Sequence, residues 1–180
     1  GLLFKTKNYG AVNSPLLVRM VIDGRGYVGI NNTNPQKHLH VGGDIQVNAI
    51  TYNSDDRIKF HEENLTNCLD TIQKLVPQKY EKIREPKTGP SWIPTDAEWD
   101  SVKSDFKWDH EFGFVAQSVK AIPELSLLVS GEETDISGNQ TPLGLNYNGI
   151  FTVAVGAIKE LSEALDSEKT RLTLLEDKLV

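Results

Sequence analysis

The sequence predicts an α+β protein, and three observations carry this prediction. Residues 16–22 alternate between the two faces of a strand, which is typical of a sheet with one buried side. The composition changes near Asn53, with short Gly-, Asn-, Val- and Ile-rich runs before it and helical patterns with most of the acidic charge after it. Apolar residues recur at steps of three and four from 151 to 179, which indicates a long C-terminal helix.

Composition limits what the chain can be. Its 180 residues, 38% of them hydrophobic, suffice for one or two small domains with a core. The net charge is -6 and the basic residues form no stripe, which argues against nucleic-acid partners. No apolar run approaches the ~20 residues that span a bilayer, so we expect no membrane partner. The first residues begin in the middle of a pattern, and we expect the chain to be the C-terminal part of something longer.

The first region, residues 1–53, contains little material for a core. Strands are predicted at residues 16–22, 27–30 and 39–47, the last broken at Gly42-Gly43, with a tight turn at Asp23–Gly26 and a loop at residues 31–35. These strands carry few large apolar residues and no aromatic cluster, so a monomer would be marginal. We therefore expect three identical chains to share a core around an axis, as a short β-rich trimeric stem.

A histidine pair lies in this region. His38 and His40 are two residues apart and would share one face of a strand. In a trimer the pairs would ring a metal on the axis, since imidazole suits first-row metals. Alternatively Leu39 and Val41 point inward and the histidines face water. We favour the second reading, so we predict no metal and no cofactor.

The junction carries a hydroxyl and an amine, Ser54 and Lys59. Serine is a weak nucleophile until a neighbouring base takes its proton, and a lysine can be that base when burial lowers its pKa. Such pairs are a known variant of hydroxyl-nucleophile catalysis. Asp55 would hydrogen-bond the turn backbone, and Arg57 would orient a carboxylate or a partner chain. The same residues also fit a helix cap or a solvated turn, so spacing alone leaves both readings open.

Helix and strand patterns follow the junction. Residues 65–76 fit an amphipathic helix with Asn64 as its cap, on whose buried stripe Cys68 lies. Residues 84–108 contain three prolines and three tryptophans, and within them Thr95 would cap a short helix. The tryptophans either bind a partner chain or a glycan, or they pack on the domain's own surface. We favour packing on the domain's own surface. Residues 112–119 read as a buried strand entering a helix at 116–121. Gln117 would be a buried amide that hydrogen-bonds either the turn after Ser54 or the local backbone.

The last helix carries an a/d stripe over about four heptads, beginning near Asn148 or Gly149. A helix packed on its own domain would show a similar stripe. We favour self-association from Leu161 onward, because little other chain remains to cover that face. The stripe consists of Phe151, Ala154, Ile158, Leu161, Leu165, Glu168, Leu172, Leu175 and Leu179.

Three motifs together resemble one family. Residues 54–59 match Ser-Asp-any-Arg-aliphatic-Lys, and Leu65–Ile72 and Gly113–Gln117 follow in order. This set is similar to the endosialidase-type C-terminal intramolecular chaperone domain, which ends phage tail spikes and fibres, some proteins of large viruses, and a membrane-bound transcription-factor family. Residues 26–45 also resemble the shaft segment ahead of tail-fibre ends. The departures are Asn31 in the shaft and residues 60–62 after the motif.

The resemblance implies a homotrimeric chaperone that cuts itself. The cut would fall at Asn53–Ser54, with Ser54 as nucleophile and Lys59 as base, and with Asp55, Arg57 and Gln117 in support. The domains would be residues 1–53, the end of a fibre or spike stem, and residues 54–180, a mixed α/β chaperone domain with a trimerising helix at 150–180. The partner is then the upstream region of the same protein, and the location is the virion.

Three other functions compete with self-cleavage. In the first, the chain is a trimerisation cap that never cuts. In the second, it is a glycan-binding fibre tip that uses the tryptophan-containing residues 84–108. In the third, it is a regulatory protein released from a membrane by the same cut. For that last function, the sequence offers neither a DNA-binding domain nor a membrane span.

Overall fold

The computed structural model describes residues 1–8, 14–84, 94–133 and 142–179. Within them the fold is α+β, with one four-stranded sheet, two two-stranded sheets and a long C-terminal helix. The chain divides into two compact units, Gly1–Ser54 and Asp55–Val180. This division falls one residue after the predicted boundary at 53/54.

The first unit is built on a single sheet in the order β1-β2-β3-β4. Pairing is antiparallel between β1 and β2 and between β2 and β3, whereas β4 runs parallel to β3. The turn between β2 and β3 forms where the sequence predicts it, because Asp23 Oδ1 accepts bonds from the N–H groups of Arg25 and Tyr27 at 2.8 and 3.0 Å. The strands are β1 Leu2–Thr6, β2 Leu17–Ile22, β3 Val28–Ile30 and β4 Leu39–Val41.

Two features of this sheet differ from the sequence prediction. The sequence patterns assigned no strand to β1, whose five residues are all exposed. The strand predicted over 39–47 ends at Val41, because its partner strand β3 ends at Ile30, directly opposite Val41. Ile45 and Val47 are therefore exposed and outside the sheet.

The first unit buries very little of itself. Among its described residues only Val21, Gly29 and Pro35 are buried. Every residue from 43 to 54 is exposed, including Ile50 and Tyr52 at 61% and 64%. This agrees with the expectation that the region is short of its own core, while the trimer that would supply one stays a prediction.

The second unit combines two short sheets with four helices among the residues described. The β5–β6 ribbon is antiparallel, with Gln78 opposite Gly113 and Ile83 opposite Trp108. The core gathers Leu75, Val119, Ile122, Leu125, Leu128 and Ile150. The elements are α1 Cys68–Gln73, β5 Gln78–Ile83, α2 Asp96–Val102, β6 Trp108–Gly113, α3 Ala116–Lys120, β7 Val129–Ser130, β8 Gly144–Leu145 and α4 Tyr147–Glu176, with short 3-10 turns at Asp56–Ile58, Lys103–Asp105 and Pro123–Leu128.

Several local predictions in this unit are confirmed. The helix capped by Thr95 is present, and both the backbone N–H and the hydroxyl of Thr95 donate to Glu98 Oε2, at 2.9 and 2.8 Å. α3 lies where predicted and ends before Pro123. β7 and β8 flank residues 131–142, which the sequence predicts as a turn-rich loop between two strands; residues 134–141 lie outside the described part of the chain.

The predicted buried strand from Phe112 is wrong. β6 runs over Trp108–Gly113, and Phe112 is 78% exposed near its end. Phe112 lies on the same face of the ribbon as Trp108, which packs against Trp99, but at the opposite end of the strand, where it is left exposed.

The first and second halves of α4 have different surroundings. Ile150, Val153 and Ala157 face the core or pack against α1. Every residue from 161 to 176 is exposed.

The helix begins one or two residues earlier than predicted, because Asn146 Oδ1 accepts from the Gly149 N–H at 3.2 Å. In the described part of the chain, we find no helix whose length and apolar character would let it cross a bilayer.

Candidate functional site

Residues 55–59 form a single 3-10 turn held by Asp55, which we name the reactive turn for its predicted role. Asp55 Oδ1 accepts bonds from the N–H and Nε of Arg57, both at 2.9 Å, and Oδ2 accepts from Arg57 Nη2 at 2.6 Å. The bond from the Arg57 side chain, followed by the bond from its backbone, lowers the pKa of Asp55. The pair therefore stays charged and stiffens the turn. Arg57 thus orients a carboxylate within its own turn.

Ser54 and Lys59 flank this turn. Ser54 is the last residue of the first unit, and the Lys59 N–H closes the turn by donating to the Asp56 carbonyl at 3.0 Å. The side chains of both residues are exposed in the single chain, as are residues 43–54 of the first unit and 55–67 of the second. A lysine becomes a base most readily when its ammonium is removed from water. A single chain does not supply that burial.

Gln117 does not fit its predicted role as a buried amide. It lies on α3 and is exposed, whereas Val119 on the same helix is buried at 1%. α3 has only five residues and turns its apolar side to the core, so the amide points to solvent. The reason for expecting a bond from Gln117 to the turn is therefore removed.

The third motif, residues 113–117, begins with Gly113 because two tyrosine side chains leave no room for a larger residue there. A Cβ at Gly113 would collide with the hydroxyl oxygens of Tyr80 and Tyr147. Tyr147 also accepts a bond from the Phe114 N–H at 3.2 Å. Burial, and then the bond to Tyr147, raise the pKa of Tyr80 to about 12. No local sequence pattern indicates this contact, because the three elements are far apart in the chain.

Replacing Gly113 by alanine is therefore expected to destabilise the second unit. A methyl group in this space forces one tyrosine to move, which costs roughly 1–3 kcal/mol. Urea unfolding should show a lower midpoint for Gly113→Ala. Gly24→Ala is a matched control, since nothing lies within 4 Å of a Cβ there. Equal midpoints for Gly113→Ala and wild type would contradict the packing explanation.

The helix behind the turn is capped from α4. Glu160 accepts bonds from the N–H groups of Cys68 and Leu69 at 2.9 and 2.7 Å. These bonds, with that of Leu69 the strongest, lower the pKa of Glu160. The predicted start near Leu65 with Asn64 as cap is wrong: α1 begins at Cys68. The sequence could not reveal the cap, because Glu160 is some 90 residues away.

Cys68 is buried, as predicted, and packs against α4. It is 2% exposed, and a Cβ at Gly156 would collide with its sulfur. Burial and the nearby Glu160 carboxylate raise the pKa of the thiol. A thiol in this setting is a core group and a poor nucleophile.

Two of the three tryptophans pack on their own domain. The Trp99 ring lies 5.8 Å from Phe106 and 6.2 Å from Trp108, and its indole N–H donates to the Glu81 carboxylate. This confirms the favoured reading for these two, both of which are half-buried. Trp92 lies outside the described residues, so the loop's own role is still a prediction.

The two histidines of the first unit are engaged with neighbours. His38 packs edge-on against Tyr27 at 4.8 Å, and His40 Nδ1 accepts from the Gln36 N–H at 3.3 Å. Leu39, expected to point inward, is 57% exposed in the single chain. A search of the described ranges finds no group of three or more metal-binding side chains.

Comparison with known proteins gives distant relatives. No family model matches the chain. It is 29% identical to an uncharacterized membrane protein of Dictyostelium discoideum over 91% of this chain and 10% of that protein. It is 26% identical to Myelin gene regulatory factor-like A of the same organism, over 86% of this chain and 16% of the relative. A third Dictyostelium discoideum protein, also uncharacterized, is 29% identical over 85% of this chain and 13% of its own length. The chain thus spans about a tenth to a sixth of the relatives it matches.

Proposed function

We propose that this chain is a trimerising, self-cleaving chaperone region of a longer protein. It brings three copies into register and then cuts its own Asn53–Ser54 bond. The observation that carries the proposal is a coincidence of position. The residues 54–59 that match the Ser-Lys motif lie at the boundary between two compact units. A cut there would separate two units that each keep their internal contacts.

The reaction requires only groups of this chain and water. The Ser54 Oγ attacks the Asn53 carbonyl carbon while the Lys59 amine takes the hydroxyl proton. The C–N bond breaks, the Ser54 nitrogen leaves as an amine with the proton that Lys59 returns, and an ester joins Asn53 to the Ser54 oxygen. Water then hydrolyses the ester, which leaves a carboxylate on Asn53 and restores the Ser54 hydroxyl.

Assembly is part of the proposal because the single chain leaves the turn in water. The residues around Ser54 and Lys59 are exposed, and so are the leucines of α4 from Leu161 onward. Association of three helices would bury those leucines, and packing of neighbouring copies would remove the Lys59 amine from water. Cleavage would then follow assembly, which is the order a chaperone needs.

Two settings are compatible with this activity. The resemblance to tail-fibre and spike domains implies a virion protein, with residues 1–53 as the end of its stem. The relatives favour a second setting, because one is named a membrane protein and another a regulatory factor-like protein, and both are much longer than this chain. In that setting the cut would free an upstream region from a membrane-attached precursor.

Intact mass measurement of the folded protein tests the cleavage. Wild type is expected to give two products that end at Asn53 and begin at Ser54, whose masses sum to the full chain plus one water. Ser54→Ala should remain a single species, and Ser104→Ala, an exposed serine elsewhere in the second unit, should cleave as wild type does. If wild type stays intact after long incubation as a folded trimer, a purely structural trimerisation cap is the better function.

Location of the products separates the two settings. The longer precursor, tagged at both ends, would be followed in the cells that make it. An upstream product that leaves the membrane fraction after the cut supports the regulatory setting. An upstream product that sediments with virus particles supports the fibre setting.

A further inference from the structure

We infer that Glu160 is a positioning residue for the proposed self-cleavage, because it ties the self-associating helix to the segment that carries Lys59. The inference rests on the proposed function. Glu160 acts on Lys59 through the backbone of residues 60–67. Its oxygens hold the N-terminus of α1, which is where the segment from the reactive turn ends.

The first turn of α1 depends on this carboxylate. Asn67 precedes the helix with a φ of 56° and makes no capping hydrogen bond with its own side chain. The first N–H groups of a helix have no partner inside it, so an outside acceptor must satisfy them. Glu160 supplies that acceptor to Cys68 and Leu69.

The other end of α1 is anchored separately. Leu75 lies in the core, and the Lys74 ammonium contacts Glu124 Oε1 at 2.6 Å. Loss of Glu160 would therefore release the start of α1 without releasing its end. The structural result is fraying of one short helix, from its first turn, inside an otherwise intact unit.

Fraying of α1 lengthens the tether of Lys59, which is the chain between Lys59 and the first residue anchored in the domain. With α1 formed, residues 60–67 link Lys59 to the first anchored residue, Cys68. If α1 frays as far as Leu75, the link runs over residues 60–74, which about doubles it and is the upper limit because Cys68 is itself buried. The tether sets how often the whole turn meets the neighbouring copies that would bury Lys59, and this effective concentration falls roughly as the −3/2 power of tether length, or about threefold for a doubling.

Glu160 is also placed to transmit assembly. It is half-buried, and the next residue, Leu161, begins the part of α4 in which every residue is exposed. Where three helices meet along that stripe, the position of Glu160 is fixed by their packing. The end of the Lys59 segment is then fixed with it.

The test separates the cleavage rate from the amount of trimer. Glu160→Ala, Glu160→Gln and the control Glu163→Ala would be purified uncut and allowed to assemble. Glu163 lies one turn further along α4 and is exposed. Trimer content is measured by sedimentation, and the first-order cleavage rate is measured within isolated trimers by intact mass.

We expect Glu160→Ala trimers to cleave more slowly than wild type, by up to about threefold. Glu160→Gln, which keeps one acceptor oxygen, should fall between them, and Glu163→Ala should match wild type. Hydrogen exchange at the Cys68 and Leu69 amides should rise in the same order. These results would not follow from a lower trimer yield alone.

Two outcomes overturn the inference. One is an unchanged rate within Glu160→Ala trimers. The other is a loss of trimer with an unchanged rate in the trimers that remain, which would make Glu160 purely structural. If Glu160→Ala does not fold, the Glu160→Gln rate decides the matter. Failure of wild type itself to cleave would instead refute the proposed function and is read from the same measurement.

Discussion

A chain with aspartate at Leu161, Leu165 and Leu172 is expected to be monomeric and to remain uncut. These side chains are 55–57% exposed in the single chain and lie on the predicted a/d stripe of α4. Burying a fully exposed leucine contributes roughly 1.5–3 kcal/mol, so burying three half-exposed leucines per chain contributes a few kcal/mol to association. An unpaired carboxylate at such a position opposes burial instead.

The measurement compares oligomeric state and cleavage in one sample. Light scattering gives the mass of the assembly, and denaturing electrophoresis gives the uncut fraction. A matched control carries aspartate at Ser167, Thr170 and Thr173, which are exposed on the same helix and off the stripe. This control should assemble and cut as wild type does. A leucine variant that still forms trimers, or that cuts as a monomer, would contradict the role given to α4.

Local signals in the sequence predicted local structure well. The turn after β2 and the Thr95 cap both rest on contacts between residues at most four apart, and both form as expected. The reactive turn is of the same kind, since Asp55 reaches only as far as Arg57. Such features follow from the chemistry of adjacent side chains and need no knowledge of the tertiary fold.

The sequence predicted poorly wherever distant elements decide the outcome. α1 takes its cap from Glu160, and Gly113 is required by tyrosines on two other elements. Phe112 and Gln117 were expected to be buried because they lie in apolar runs, yet both are exposed. A run of apolar residues shows that some face is covered, but it does not say which one or by what.

The same limit applies to the candidate site. Asp55 and Arg57 could be placed from the sequence because they contact each other within one turn. The surroundings of Ser54 and Lys59 could not, because the exposed residues on either side must be covered by something other than their own chain if the amine is to lose its water. In a trimer, neighbouring copies of the chain would cover these residues, and this is why assembly and chemistry are proposed together.

Replacing Lys59 by arginine is expected to stop cleavage while leaving assembly intact. Arginine keeps the charge and most of the length of lysine, but its guanidinium does not give up a proton in proteins. It therefore cannot accept the Ser54 proton. Loss of a general base of this kind costs roughly 10²–10⁴-fold in rate, so Lys59→Arg should remain largely uncut over an incubation in which wild type is fully cut. Intact mass of folded trimers after long incubation gives the comparison with wild type.

The control is Lys178→Arg, a second exposed lysine in the last residues of the chain, which should cut at the wild-type rate. Lys59→Gln, which removes the charge as well, should be as inactive as Lys59→Arg. If arginine at this position supports cleavage within tenfold of wild type, a positive charge near the turn is all that the reaction needs. The amine would then not be the base, and another group would have to take the Ser54 proton.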